Sequence, residues 1–391
     1  MKLGTMKTNK VSNILIISLL IATTIVMTFC QRPDTKSSVE DYFTKSDVKL
    51  QSKVRFANGF DIYHHKGISR LVIYNPWNKG EVMKTYYFMD MDRKKEFQSK
   101  ENILTYPIDS VAVFSATQLN AFSKLGLLDK VIAISESEYI QNKEVKNRAD
   151  KGRIVNLASN GNFFLEKTLE LNPEIIYYSP WNIAQKHPLA ETQITMIPFF
   201  DFMEQDPLGR AEWIKFTALF FQREHEANSI FDTIVNKYNY YKDLASEVEE
   251  RPTVFSDKYF NGQWFVPGGK SYISRLFSDS GADYLWKDNT NNASFNLDFE
   301  VVYNKAHNTD FWRIVGSYPD GFSYDNLGAE NSLYQNFDAF KNHKVIFCDS
   351  KKTTYFETGT LEPHIVLGDL IYAFHPELLE NYVPVYYRLI E

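Results

Sequence analysis

Two glutamates occupy matching places in two similar stretches of this chain, and the chemistry they offer is docking rather than turnover. The first stretch reads Phe164-Leu165-Glu166-Lys167-Thr168-Leu169-Glu170-Leu171-Asn172-Pro173 and leads into Ile175-Ile176-Tyr177-Tyr178. The second reads Leu297-Asp298-Phe299-Glu300-Val301-Val302-Tyr303 and leads into Phe311-Trp312-Arg313-Ile314-Val315. A carboxylate in a first helical turn is favoured by the helix dipole, so one such glutamate alone would need no further role. An equivalent residue in each of two halves points to a bilobed protein presenting paired acidic marks to an arginine-bearing partner, since guanidinium–carboxylate contacts are directional and bidentate.

Other residues with chemical potential point less clearly. Pro267-Gly268-Gly269-Lys270-Ser271 ends like a phosphate-binding loop, but Trp264 stands where that motif needs its first glycine. A glycine turn with Ser271 capping a helix is the expectation. The histidines are scattered, and His64 and His65 are strand neighbours that point to opposite faces, so no metal site is expected. No G-x-S-x-G turn exists to mount a nucleophile. A triad set by space alone, using Asp257, His364 and a serine, stays open as a hydrolase alternative. A glycan-binding surface stays open too. Cys348, within Val345-Ile346-Phe347-Cys348, reads as a buried, inert thiol.

Aromatic residues follow several strand-like runs. Tyr139 comes after Val131–Ile134, Trp181 after Ile175–Tyr178, and Tyr259 and Trp264 after Thr253–Ser256. Tyr355 and Phe356 follow Val345–Cys348. Ligands of open α/β sheets bind outside the carboxyl ends of the strands, so such rings would suit a bulky planar or macrocyclic ligand.

Three kinds of element must position these groups. Residues 51–105 read as antiparallel β, with Val54-Arg55-Phe56 and Phe60–Tyr63 joined at Asn58-Gly59. From about 106, strand and helix alternate, beginning with Ser110–Phe114, a helix capped at Thr117 and stopped at Gly126, then Val131–Ile134. This alternation argues for α/β layering around a largely parallel sheet. Between the two glutamate stretches, Arg210 to Arg251 contains neither glycine nor proline. Ala227, Ile230, Phe231, Ile234, Val235, Tyr238, Tyr241, Leu244 and Val248 form one helical stripe there, so a short helix (211–221) followed by a long packed connecting helix is expected.

The 391 residues suffice for two domains, and 44% hydrophobic content describes a folded chain. A net charge of −6 gives no reason to expect nucleic acid. Lys2, Lys7 and Lys10 precede an apolar run from Ile14 to Phe29, which ends at Cys30 and a polar segment. That is the pattern of an export signal with Cys30 as the lipidated residue, although Phe29 is unusual before such a cysteine. The expected organisation is a signal at 1–30, a flexible tether at 31–50, a β extension at 51–105, a first lobe at 106–205, a connecting helix region at 206–250 and a second lobe at 251–391.

Taken together, residues 108 to 386 resemble the helical-backbone (class III) solute-binding proteins of ABC importers for ferric siderophores, haem and cobalamin. The resemblance rests on Ser110 to Ser135, Leu165-Glu166 through Ile176, Gln222 to Ala227, Gly268 through Ala282, and Phe299-Glu300-Val301. It implies two Rossmann-like lobes joined by a long rigid helix, an interlobe cleft for the cargo, no resident cofactor and no catalysis. It also implies a permease, with its ATPase, that docks on Glu166 and Glu300, and a monomer anchored to a membrane outside the cytoplasm. Cleft positions carried over from the family are Ser115, Tyr139, Trp181, Tyr259, Trp264 and Tyr355. The extension at 51–105 is additional to the family pattern. Few arginines lie in the candidate cleft loops, so aromatic lining is expected to favour a large, mostly neutral chelate, corrinoid or porphyrin.

Overall fold

Alternating apolar residues fold the first part of the chain into a four-stranded sheet. A computed structural model describes residues 38–44, 50–97, 102–135, 137, 140–159, 162–180 and 187–390. The export signal, Cys30, Tyr139 and Trp181 lie outside these residues. Helix α1 (Val39–Thr44) precedes strands β1 (Phe60–His65), β2 (Ile68–Tyr74) and β3 (Val82–Asp90), which pair antiparallel. Helix α2 (Met91–Lys94) then opens a crossover to β4 (Ile103–Tyr106), which joins β3 in parallel rather than antiparallel.

The hairpin turn is Lys66-Gly67, with φ of 43° and 77°, and not Asn58-Gly59. One sheet face carries Phe60, Ile62, Leu71, Ile73, Tyr86 and Phe88 into the main core. The other buries Ile68, Tyr87, Met89 and Ile103 against Val39 and Phe43 of α1. The expected tether therefore contains a docked helical turn, because Val39 and Phe43 sit four residues apart on one face.

The first lobe contains β5 (Val111–Val113), α3 (Ala116–Lys124), β6 (Val131–Ile134), α4 (Lys143–Asp150) and β7 (Val155–Asn156). A small hairpin, β8 (Ala158–Ser159) and β9 (Asn162–Phe163), leads to α5 (Leu165–Leu171), β10 (Ile175–Tyr178) and β11 (Thr195–Pro198). The sheet order is β11-β10-β5-β6-β7, parallel throughout. Ser115, not Thr117, is the residue at the cap of α3. Asn172 ends α5 in the left-handed region at φ 46°, just before Pro173.

Two helices connect the lobes, as the uninterrupted spacer required. α6 (Pro207–Phe220) and α7 (Glu224–Ser246) are separated by a break at Gln222, φ 55°. With 23 residues, α7 is about 35 Å long. It buries Ala227, Phe231, Ile234, Val235, Tyr238 and Ala245.

The second lobe follows with β12 (Thr253–Ser256), the hairpin β13 (Tyr259–Phe260) and β14 (Gln263–Val266), α8 (Tyr272–Asp279), β15 (Asp283–Tyr284), β16 (Phe295–Leu297) and α9 (Phe299–Ala306). Then come β17 (Phe311–Gly316), α10 (Tyr324–Glu330), α11 (Asp338–Lys341), β18 (Val345–Asp349), α12 (Tyr355–Thr358), α13 (Pro363–Phe374) and β19 (Arg388–Ile390). Its sheet order is β15-β12-β17-β18-β19, parallel except for the last pair.

Helix α6 is the centre of packing, and every residue in it except Arg210 is buried. Towards the extension, Trp213 and Phe216 meet Phe60 at ring-centroid distances of 4.8 and 5.4 Å, and Phe220 meets Phe88 at 4.8 Å. Towards the first lobe, Trp213 meets Phe199 at 4.6 Å and Phe220 meets Tyr177 at 5.3 Å. A helix apolar on all sides needs cover on all sides, and the extension supplies one of them.

Two buried carboxylates fasten that cover. Glu212 accepts hydrogen bonds from the backbone N–H groups of Arg55, Phe56 and Ala57 at 2.7–3.1 Å, and from Lys215 Nζ at 2.7 Å. Glu204 accepts from the amides of Asn58 and Gly59 and from Trp213 Nε1, all at 2.9–3.0 Å. This consumes the amides of 55–59, so that segment forms no strand.

Replacing Glu212 by Ala strands a buried lysine and three amides, and should cost about 3–5 kcal/mol in urea denaturation. Proteolysis within 51–59 should accelerate in parallel. A loss below about 1 kcal/mol, the level of an exposed ion pair, would contradict the seam's importance.

Candidate functional site

The carboxyl ends of the parallel strands of the two sheets meet across a polar seam between the lobes. On the first lobe, buried Gln118 ties two strand ends together and Ser135 adds a third. Its Oε1 accepts from Phe114 N at 3.1 Å, and its Nε2 donates to Ser179 Oγ at 3.2 Å, while Ser135 Oγ donates to Phe114 O at 2.9 Å. Ser115 is half-buried with its Oγ 3.0 Å from Thr117 Oγ1.

On the second lobe the floor is a cluster of arginine, tyrosine and aspartate. Arg313, on β17, donates to Asp257 Oδ1 at 3.0 Å, Ser256 Oγ at 3.2 Å and Tyr387 Oη at 3.1 Å. Burial pushes the Asp257 carboxyl up, and the neighbouring Arg313 opposes that rise. Tyr355 is buried, with its ring 5.3 Å from Tyr387. Nearby, Lys258 Nζ bonds Tyr318 Oη at 2.9 Å and Glu330 at 2.6 Å.

Arg210 of α6 links the two sides. It donates to the carbonyls of Asp201 and Phe202 at 3.0 and 2.8 Å, and lies 4.4 Å from the ring of Tyr272 in the second lobe. Asp201 is buried with its Oδ1 lacking a hydrogen-bond partner among the described residues, and burial raises its pKa although Arg210 stands beside it. Both arginines were missed in the sequence, because one lies within a strand and the other on the connecting helix rather than in loops.

Direct ties hold the lobes together beside this floor. Lys124 Nζ reaches Glu362 Oε1 at 2.7 Å, and Asn120 Nδ2 donates to Thr358 O at 3.1 Å. The Glu357 carboxylate accepts the backbone N–H of Gln141, next to the first turn of α4.

The predicted ligand residues separate on inspection. Ser115 and Tyr355 lie at the interlobe seam. Trp264 does not: it is fully buried in the second lobe, where its Nε1 donates to Ser256 O at 2.9 Å and its ring packs 5.9 Å from Phe299, Trp312, Tyr334 and Phe337. Tyr259 is partly exposed, edge-on to Phe299 at 5.8 Å, and so stands beside the Glu300 helix.

An aromatic group that the sequence reading passed over sits at the first lobe's strand ends. Phe114, Phe163 and His187 lie 4.9–5.7 Å apart, with Tyr178 at 6.2 Å from His187. His187 Nδ1 accepts from Leu189 N at 3.2 Å, and burial lowers its pKa. The His187-Pro188 pair opening a helical turn was the available signal.

Glu166 and Glu300 are both exposed in the first turns of α5 and α9. Neither forms an ion pair with another described residue. Exposed Phe164 and Leu169 flank the first, and Val301 adjoins the second.

The alternative chemistries find less support. Asp257 is engaged by Arg313 and Ser256, not by His364. Gly268 and Gly269 pass so close under residues 286–293 that a Cβ on either would lie 2.3 Å from a carbonyl oxygen. Ser271 Oγ accepts Ser274 N at 3.2 Å, the expected helix cap. Burial pushes the Cys348 thiol up to about 11, as an inert core thiol requires. Among the described residues, no group of three or more His, Cys, Asp and Glu side chains is placed to hold a metal, and no helix is long and apolar enough to cross a membrane.

Comparison with known proteins adds a family to this geometry. The sequence profile of the family described as "periplasmic binding protein" matches residues 111–352. An uncharacterized lipoprotein of Methanocaldococcus jannaschii is 26% identical over 366 residues, covering 86% of this chain and 85% of the relative. Among solved structures, a periplasmic heme binding protein from Pseudomonas aeruginosa superposes with a TM-score of 0.57 at 14% identity, over 73% of this chain and 99% of that one. IsdE of S. aureus complexed with heme gives 0.53 at 16% identity, over 69% and 100%. The FepB protein of Veillonella parvula, described as TroA-like, gives 0.54 at 18%, over 74% and 96%. These likenesses establish the fold of two α/β lobes joined by a helix.

Burial lowers the pKa of His364 to about 4, and its Nδ1 has no partner among the described residues. Against an unfolded value near 6.5, the neutral ring contributes stability above about pH 6.5 that is lost as pH falls through about 4. NMR should find this ring neutral at pH 5.5; a midpoint near 6.5 would show that it is solvated instead.

Proposed function

We propose, on the premise that this chain belongs to the periplasmic binding protein family, that it captures an iron complex (a ferric siderophore or haem) or cobalamin between its lobes and delivers it to an ABC importer. The same reading places the protein outside the cytoplasm as a monomer, tethered to a membrane through lipidated Cys30. No bond is made or broken in the cargo; the work is capture, presentation and release.

The observation that supports this best is the pair of exposed glutamates. Each opens a short helix, each is free of ion pairing among the described residues, and each adjoins exposed apolar side chains. Such a charged post with an apolar collar suits a permease surface carrying arginines. Within the cleft, Ser115 and Tyr355 are retained as ligand contacts, together with Tyr139 and Trp181. Tyr259 fits the docking face better than the cleft, and Trp264 is withdrawn because its ring has no exposed surface.

The arginines reopen a choice that the sequence seemed to narrow. Arg313 is already balanced by Asp257, whereas Arg210 is held by carbonyl groups and a tyrosine face. The Asp201 carboxyl stands beside Arg210 without a hydrogen bond to it, and burial pushes that carboxyl up, so a cargo carrying negative charge would find this cation less fully balanced than Arg313. This favours an anionic ferric chelate or the propionates of haem over a neutral corrinoid.

The test separates docking from capture. Glu166→Ala with Glu300→Ala should leave cargo affinity within about twofold and abolish ATP-driven uptake in a reconstituted importer, because exposed glutamates remote from the cleft contribute to association rather than to ligand contact. Uptake at the native rate by the double variant would overturn the assignment.

A further inference from the structure

We propose that the N-terminal extension builds a second binding site, for a short neutral oligosaccharide, on the flank of the lobes. The site is a cavity of about 720 Å³ whose walls come from three parts of the chain: the extension, the segment entering α6 and the second lobe. That volume is in the range of small-molecule sites, which is ~300–1,000 Å³.

The lining determines the chemistry. Four side-chain amides line it, Asn58 and Asn75 from the extension, Gln205 before α6 and Asn292 from the second lobe; that of Asn75 is engaged by Glu81 and Trp77 N. Those of Gln205 and Asn292 make no hydrogen bond with any other described residue, so both donors and acceptors are available to a ligand. The wall's carboxylate, Glu204, is used up by Asn58 N, Gly59 N and Trp213 Nε1. Apart from exposed Lys79, the cavity therefore offers neutral hydrogen-bonding groups.

Flat apolar surface accompanies them. Tyr74 and Phe200 line the cavity, and Tyr74 Oη is committed to Asp61 at 2.7 Å, which leaves its ring as the contacting surface. Trp77, next in sequence to the lining residue Pro76, stands edge-on to Phe200 at 5.6 Å with 42% of its surface exposed. Amides with uncommitted donors and acceptors, beside aromatic faces and without an available carboxylate, suit hydroxyl-rich rings with apolar C–H faces.

This site uses none of the residues assigned to the interlobe cleft or to permease docking, so each reading can fail without the other. It also gives the extension a role beyond covering α6. A saccharide held there would bridge all three units and moor the protein to a glycan-bearing surface.

The test titrates the full-length chain, in detergent, with chitotriose and with maltotriose, by calorimetry and by tryptophan fluorescence. Saturable one-to-one binding of at least one trisaccharide is expected, with Trp77→Phe removing the fluorescence response. Gln205→Ala with Asn292→Ala, both exposed positions, should weaken binding about tenfold or more while leaving the thermal unfolding midpoint unchanged. Failure of both sugars to saturate by about 10 mM, a concentration at which even weak specific sites fill, would overturn the proposal. Equal binding by the double variant would do the same.

Discussion

Everything in this molecule is arranged around a helix that has no solvent face. α6 is wrapped by the extension sheet, the first lobe's aromatic core, α7 and the second lobe, and its two nearby carboxylates gather the amides of residues 55–59. Buried backbone N–H groups must be paired, and a buried carboxylate must be hydrogen-bonded; each need meets the other here. The same solution recurs at the C-terminus. Asp369 accepts the amides of Val385, Tyr386 and Tyr387 at 2.6–3.0 Å, and so brings Tyr387 onto Arg313. Burial still raises the pKa of Glu204 and of Asp369, against the opposing effect of these donors.

This construction bears on how a binding protein of two lobes can signal. α7 lies against α6 and α13, and the lobes are further tied by Lys124 to Glu362 and by Glu357 to the Gln141 amide. Large hinge closure would break charged, partly buried contacts, each costly to leave unpaired. Modest adjustment of the lobes about a stiff axis is the motion that the packing allows. Glu166 and Glu300 lie on short surface helices of opposite lobes, so such an adjustment would change their separation.

Much of this was legible in the residue pattern, and the exceptions have physical causes. The twin glutamate helices, the α7 stripe and the two parallel sheets follow from periodicity and capping, which act over a few residues. Burial of Trp264 was also readable: Tyr259-Phe260 and Gln263–Val266 flank Asn261-Gly262, with φ of 50° and 85°, a hairpin signal that puts the indole on the inner face. Asn58-Gly59 misled for the opposite reason. Its amides answer to Glu204, some 145 residues away in the chain, and no local rule reaches that far. The interlobe floor was hidden likewise, since Arg210, Tyr272, Arg313 and Tyr387 meet only once both lobes have folded.

The central claim is that the space between the lobes holds a coloured metal complex or corrinoid and returns it unaltered. A visible-absorption titration of the purified full-length chain with haem, a ferric siderophore and cobalamin addresses it most directly. One of these should give a saturable one-to-one spectral change, and the ligand recovered after denaturation should be chemically identical to the one added. Spectra that never depart from free ligand for all three, or recovery of a cleaved or modified product, would contradict the account.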